Sequence, residues 1–159
     1  MGDDLGGNRG GPLVLRSSCK TMEPRHDESQ WPVVVVTMPA EPATDAELQA
    51  SLDRASTYFA RRERFGMVVD DRLSGMQSAQ RRRTIAEWMD RELGQRGQFF
   101  AGMAVVLTSA TQRAVFKTIS WLRQSRHPMA AFATVEEGVA WLNKRLAMRS
   151  EPAPRRISL

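Results

Sequence analysis

Two adjacent aspartates close an apolar run in the stretch "VVDDRLSGMQSAQRRRTIAEW", residues Val68–Trp88. Arg72 and Ser74 follow Asp70 and Asp71, then Ser78, then three consecutive arginines, Arg81, Arg82 and Arg83. Carboxylates at the C-terminal end of a strand stand where open α/β sheets place their ligand sites. Adjacent side chains on a strand point to opposite faces, which argues against a catalytic carboxylate pair. Two readings follow. One aspartate binds Mg²⁺ or receives a phosphoryl group, or each is a strand-ending acid that holds Arg72 or the loop amides. Ser78 precedes a helical stripe, where its hydroxyl as N-cap contributes about 1 kcal/mol. The same hydroxyl is a candidate for phosphorylation. The arginines fall in the first turn of that helix, where the helix dipole disfavours cations by about 0.3–1 kcal/mol each. Arg83 meets Glu87 at i+4, in the weaker order, and Asp70 or Asp71 offsets one arginine at most. The remaining charge marks an anionic ligand or partner at this corner, or it is a solvated arginine-rich face.

Little other chemistry is written in the chain. No GxGxxG, P-loop, CxxC or HExxH motif occurs. His26 falls in a stretch read as a tail and His127 precedes Pro128, so spacing suggests no His–Ser–Asp arrangement. Cys19, the single cysteine, excludes an intrachain disulfide and leaves too few thiols for a zinc cluster. No cofactor or metal is expected. "LRSSC", ending at Cys19, lacks the apolar run that precedes a lipidation site.

Four strand–helix units must position the corner. "WPVVVV" (Trp31–Val36), "FGMVV" (Phe65–Val69), "MAVVL" (Met103–Leu107) and "PMAAF" (Pro128–Phe132) are short apolar runs bounded by turn residues. They read as strands buried on both faces. An amphipathic helix follows each. Thr44 and Glu47 form a capping box ahead of Leu48, Leu52, Ala55 and Phe59. Ser78 opens the second helix, with Ile85, Trp88, Met89 and Leu93 inward. Ser109 opens the third, with Val115, Ile119 and Leu122 inward. Thr134 and Glu137 box the fourth, ahead of Val139, Leu142 and Leu146. Strict alternation predicts a single α/β domain over residues 31–148, with a mostly parallel sheet of about four or five strands and four packing helices. Residues 1–30, whose one apolar patch is "PLVL", read as a disordered tail, and the basic residues 149–159 as a second one.

Composition fits this layout. An apolar fraction of 42% supplies a core, and 26% charged residues suit a water-exposed surface. No segment approaches the roughly 20 apolar residues of a membrane helix, so no membrane insertion is expected. The N-terminal "MGDDLGGNRGG" has neither the basic start nor the apolar run of a secretory signal, and a reducing cytoplasm is the expected setting. A net charge of +5 admits an acidic protein, a phosphate or a nucleic acid as partner. Nucleic-acid binding calls for aromatics interleaved with the basic patch, and the 7% aromatic residues fall mostly on apolar faces.

Three stretches resemble the STAS-like domains of the anti-sigma-factor antagonist type, in the bacterial SpoIIAA-like or STAS/SEC14-like branch. They are "RFGMVVDDRLSGMQSAQRR", "AGMAVVLTSATQRAVFKTISWL" and "AFATVEEGVAWLNKRL", within about Trp31–Leu146. The resemblance implies a small sheet with helices and a switchable surface at the N-terminus of the second helix. In phosphorylatable members an Asp-Ser pair followed by Gly begins that helix. Here the place reads Gln77-Ser78-Ala79-Gln80, without the acid or the glycine. The expected role is a non-enzymatic adaptor that binds a protein partner through Asp70–Arg83. The alternative is a small-molecule or lipid-binding module of the SEC14-like branch, with a closed apolar cavity beneath the second and third helices. A degenerate receiver domain is a third comparison, but it requires an acidic pair after the first strand and a lysine after the last. The chain has neither.

Overall fold

Apolar β-branched runs that alternate with capped amphipathic helices lead to a five-stranded sheet covered on both faces. The computed structural model describes residues 23–74, 78–122 and 127–148, without the side chains of 118–122. The strands are β1 (Arg25–Asp27), β2 (Val33–Thr37), β3 (Phe65–Asp70), β4 (Phe100–Val106) and β5 (Met129–Phe132). The helices are α1 (Asp45–Ala60), α2 (Ala79–Arg96), α3 (Ala110–Leu122) and α4 (Val135–Ala147). Strand order follows the chain, β1-β2-β3-β4-β5. β2 to β5 are parallel, and β1 pairs antiparallel with β2 at one edge. Among the described residues no helix is long and apolar enough to cross a membrane.

The period-two alternation of the strands divides the core. Val34, Val36, Phe65, Met67, Phe100 and Met103 face one side and meet Leu48, Leu52, Ala55, Tyr58 and Phe59 of α1 and Trp88 of α2. Val33, Val68, Ala104 and Val106 face the other side and meet Leu142 of α4. Phe100 and Met103 share a face although they are three residues apart. The register between β3 and β4 shifts at Phe65/Gly66, which inserts one residue into β4. Gly102 carries this irregularity at φ +148°, and a Cβ there would lie 2.8 Å from the Pro128 carbonyl oxygen.

The helix starts follow the cap chemistry. Thr44–Glu47 and Thr134–Glu137 form capping boxes, and Ser78 accepts from the Arg81 amide. Ser109 accepts from the Gln112 amide at 3.4 Å.

Two expectations are corrected. The ordered domain begins before residue 31: Arg25–Asp27, inside the stretch read as a tail, is an edge strand with His26 turned into the core. A three-residue strand whose one inward side chain is histidine has no apolar signature. Val115, expected inward, is 53% exposed. α3 packs on β5, a short edge strand with no fully buried residue, so it covers less apolar surface than α1 does. Residues 1–22 and 149–159, including "PLVL" and Cys19, lie outside the described residues, as do the side chains of Ile119 and Leu122.

Candidate functional site

Strand β3 delivers its aspartates to the end of the sheet where β2 and β4 also finish. The Asp70 carbonyl accepts from the Met38 amide at 2.9 Å, and the Asp71 amide donates to the Val106 carbonyl at 3.1 Å. Asp70 is buried and shares the face of Val68, toward α4. Its carboxylate accepts two bonds from Arg72, from Nε and Nη2, both at 2.8 Å. This forked contact with Arg72 holds the Asp70 carboxyl below the usual carboxylate range. Asp71 behaves oppositely. Burial pushes its carboxyl up, although the Ser74 hydroxyl that donates to it works the other way. Two carboxylates thus differ through their surroundings, one ion-paired and one partly desolvated. Both are engaged by neighbours from their own loop.

The adjoining loop is tied down as well. The Thr108 hydroxyl donates to the Arg72 carbonyl at 3.3 Å. Arg113 of α3 donates to the Leu107 and Thr108 carbonyls at 2.7 and 2.8 Å. The turn after β3 is therefore braced against the turn after β4, on the rigid ends of two central strands. Ser74 and Ser78 flank residues 75–77, which lie outside the described residues.

The arginines separate into two kinds. Arg81 is only 21% exposed, donates to the Ala43 carbonyl and stands 3.6 Å from an Asp45 carboxylate oxygen. It clamps the start of α2 to the start of α1, so it is not surplus charge. Arg82 and Arg83 are exposed and have no ion-pair partner among the described residues. The first turn of α2 contains no acid. Leu73, on the loop leading into the same helix, is 65% exposed. Among the described residues the corner therefore presents to solvent the cations Arg82 and Arg83, the ion-paired Arg72 and the apolar Leu73.

This division sets an expected result. Arg81→Gln should cost about 1 kcal/mol in urea denaturation, because the buried Ala43 carbonyl loses its donor. Arg82→Gln with Arg83→Gln should leave stability unchanged or slightly raised, since a conflict with the helix dipole is relieved. Equal losses from both would remove the distinction.

A second polar cluster was not anticipated. His26 of β1 lies 2.8 Å (Nε2) from the Ser51 hydroxyl and 3.0 Å (Nδ1) from the Tyr58 hydroxyl, both on α1. The Tyr58 hydroxyl also donates to Glu28, which accepts from Arg54 and Arg61 as well. A serine within reach of a histidine is the geometry of an activated nucleophile. Ser51 and His26 are only 6% and 8% exposed, however, so a substrate has no approach to the hydroxyl. Burial, reinforced by Arg54, lowers the His26 pKa to about 4, which makes the imidazole a weak base near neutrality. One sequence signal existed. Ser51 and Tyr58 lie seven residues apart on the buried stripe of α1, and inward polar groups on a helix require a buried partner.

Between α1 and α2, Trp88 donates to the Ser56 hydroxyl at 2.9 Å, and Ser56 donates to buried Glu92 at 2.9 Å. Arg96 reaches the same carboxylate at 3.4 Å. These bonds fix how α2 lies on α1 and hence where its N-terminus points. On the opposite side, Arg113, Phe132, Glu137, Trp141 and Lys144 line an open groove of about 610 Å³. It lies along β5 and α4, not beneath α2 and α3, and it is not enclosed. Among the described residues no three His, Cys, Asp or Glu side chains converge as metal ligands.

Comparison of the chain with family models, with curated proteins and with solved structures finds no match.

Proposed function

We propose that the chain is a non-enzymatic, STAS-like adaptor of the cytoplasm that binds a protein partner through the corner Asp70–Arg83. One observation carries this reading. Arg82 and Arg83 stand exposed in a helix N-terminal turn that has no acid, on a segment braced by Arg81 and by the paired strand ends. A pair of cations held against the helix dipole lacks a stabilising role inside the fold. An anionic surface laid across the corner supplies the missing counter-charge, and Leu73 supplies apolar contact beside it. The five-stranded sheet with its four helices agrees with the layout that the STAS-like resemblance implies. Ser78 caps α2, so a phosphate on its hydroxyl would add charge beside Arg82 and Arg83.

The test is a photo-reactive residue placed at position 73 in the native cell, with a second placed at the exposed Lys144 position of α4. Light should give a discrete protein adduct from position 73 and none from position 144. An adduct that forms from 144 and not from 73 would move the interface to the α4 face and overturn the assignment.

A further inference from the structure

β1 is an unusual edge strand. It is three residues long, and it sends one side chain, His26, into the core. Two attachments hold its own three residues: the antiparallel pairing of Arg25–Asp27 with Val35–Thr37, and the imidazole bonds to Ser51 and Tyr58; on either side, Pro24 is buried and Glu28 is held by Arg54, Arg61 and Tyr58. No apolar side chain of the strand backs them up. Short main-chain ladders at an edge open readily, so between its flanking anchors the strand depends on the imidazole bonds to stay paired.

The setting of that imidazole suits its neutral form. A neutral ring offers one donor and one acceptor: because the Tyr58 hydroxyl proton goes to Glu28, Nδ1–H donates to Tyr58 and Nε2 accepts from the Ser51 hydroxyl. The facing groups do not welcome a charged ring. From β2 the partner is Val36, which is apolar. From α1 come Ser51, Tyr58 and the guanidinium of Arg54, with Arg61 at the helix end. From the segment after β1 comes Glu28, already shared among Arg54, Arg61 and Tyr58. Arg25 and Asp27, on β1 itself, alternate away from the His26 side. A proton on His26 therefore meets burial and a neighbouring cation, with only a share of one carboxylate to offset them.

We propose that β1 is an acid-released latch: protonation of His26 detaches Arg25–Asp27 from β2 while the four parallel strands stay folded. Release leaves the main-chain groups on the outer edge of β2 unpaired, an edge on which another extended segment can add. The sign is fixed by linkage. The latched histidine titrates at about 4 and the released one near 6.5, so the released state binds more protons between them. The latch is at full strength above 6.5 and weakens as pH falls toward 4. At pH 5 release is favoured about twentyfold relative to pH 7.

The experiment is an NMR titration of the full chain from about pH 7.5 to about pH 4.5. It follows the amides of Arg25–Asp27 and Val35–Thr37, those of Met67, Val68 and Ala104 in the central strands, and the His26 imidazole. A His26→Gln chain, which keeps hydrogen-bonding capacity but takes no proton, is titrated alongside. The β1 amides should leave their paired positions in step with the imidazole, the central strands should hold, and His26→Gln should show no transition. Three outcomes overturn the latch: β1 amides that stay paired throughout, the same transition in His26→Gln, or loss of the central strands at the same pH. Should His26→Gln fail to fold, the wild-type imidazole decides alone, because a ring that titrates without movement of β1 refutes the proposal.

Discussion

Leu142→Ala is expected to lower stability by about 2–5 kcal/mol, toward the upper end of that range. Leu142 is fully buried, and it is the central contact through which α4 packs with Val33, Val68, Ala104 and Val106. Its isobutyl group seats over Gly66, where an added Cβ would lie 2.6 Å from Leu142 Cδ2. The floor beneath it is thus sheet backbone, paired on both sides and unable to collapse into the void. Chemical denaturation should show the loss as a lower midpoint with an unchanged slope. A loss below about 1 kcal/mol would mean that α4 does not close this face of the sheet.

What was legible in the sequence followed from periodicity and caps. Val33–Val36 and Val68–Val69 are β-branched runs without competing helix signals, and the structure makes them central strands. Thr44, Ser78 and Thr134 advertise helix starts through local chemistry, so those starts needed no tertiary information. Trp88 and Leu142 fall on helical stripes and are buried as the stripe requires. What was hidden depends on contacts distant in sequence. Arg81 looks like its two neighbours along the chain, and only the approach of the α1 N-terminus turns it into a clamp. His26 sits among charged residues, and its inward role emerges only when Ser51 and Tyr58 arrive from α1. The aspartates were visible as a strand end, but their opposite environments were not. Arg72 folds back onto Asp70, whereas Asp71 is answered by Ser74. A single chain written left to right shows which residues carry charge. It does not show which charges are already spent on the fold.

That distinction makes Arg82 and Arg83 the sharpest probe of the proposed role. Changing both to Gln removes two exposed charges and no described intramolecular bond. Exposed charge pairs contribute about 0.2–1 kcal/mol each, so together they account for about twofold to about thirtyfold in affinity. Their effect should act mainly on the association rate and should fade as salt shortens the screening length. A fold defect would instead persist at every salt concentration and would appear in the denaturation curve.

The most direct measurement is therefore the dissociation constant of the partner captured at position 73, for the wild-type chain and for the Arg82→Gln, Arg83→Gln chain. It is taken at about 50 mM and about 500 mM salt. The double change should weaken binding by about twofold to about thirtyfold at low salt, the two chains should converge at high salt, and their denaturation midpoints should agree. Equal affinities at low salt, with the fold intact, would contradict the proposed role: the arginines would then be solvated surface, and the corner Asp70–Arg83 would not be where this protein is recognised.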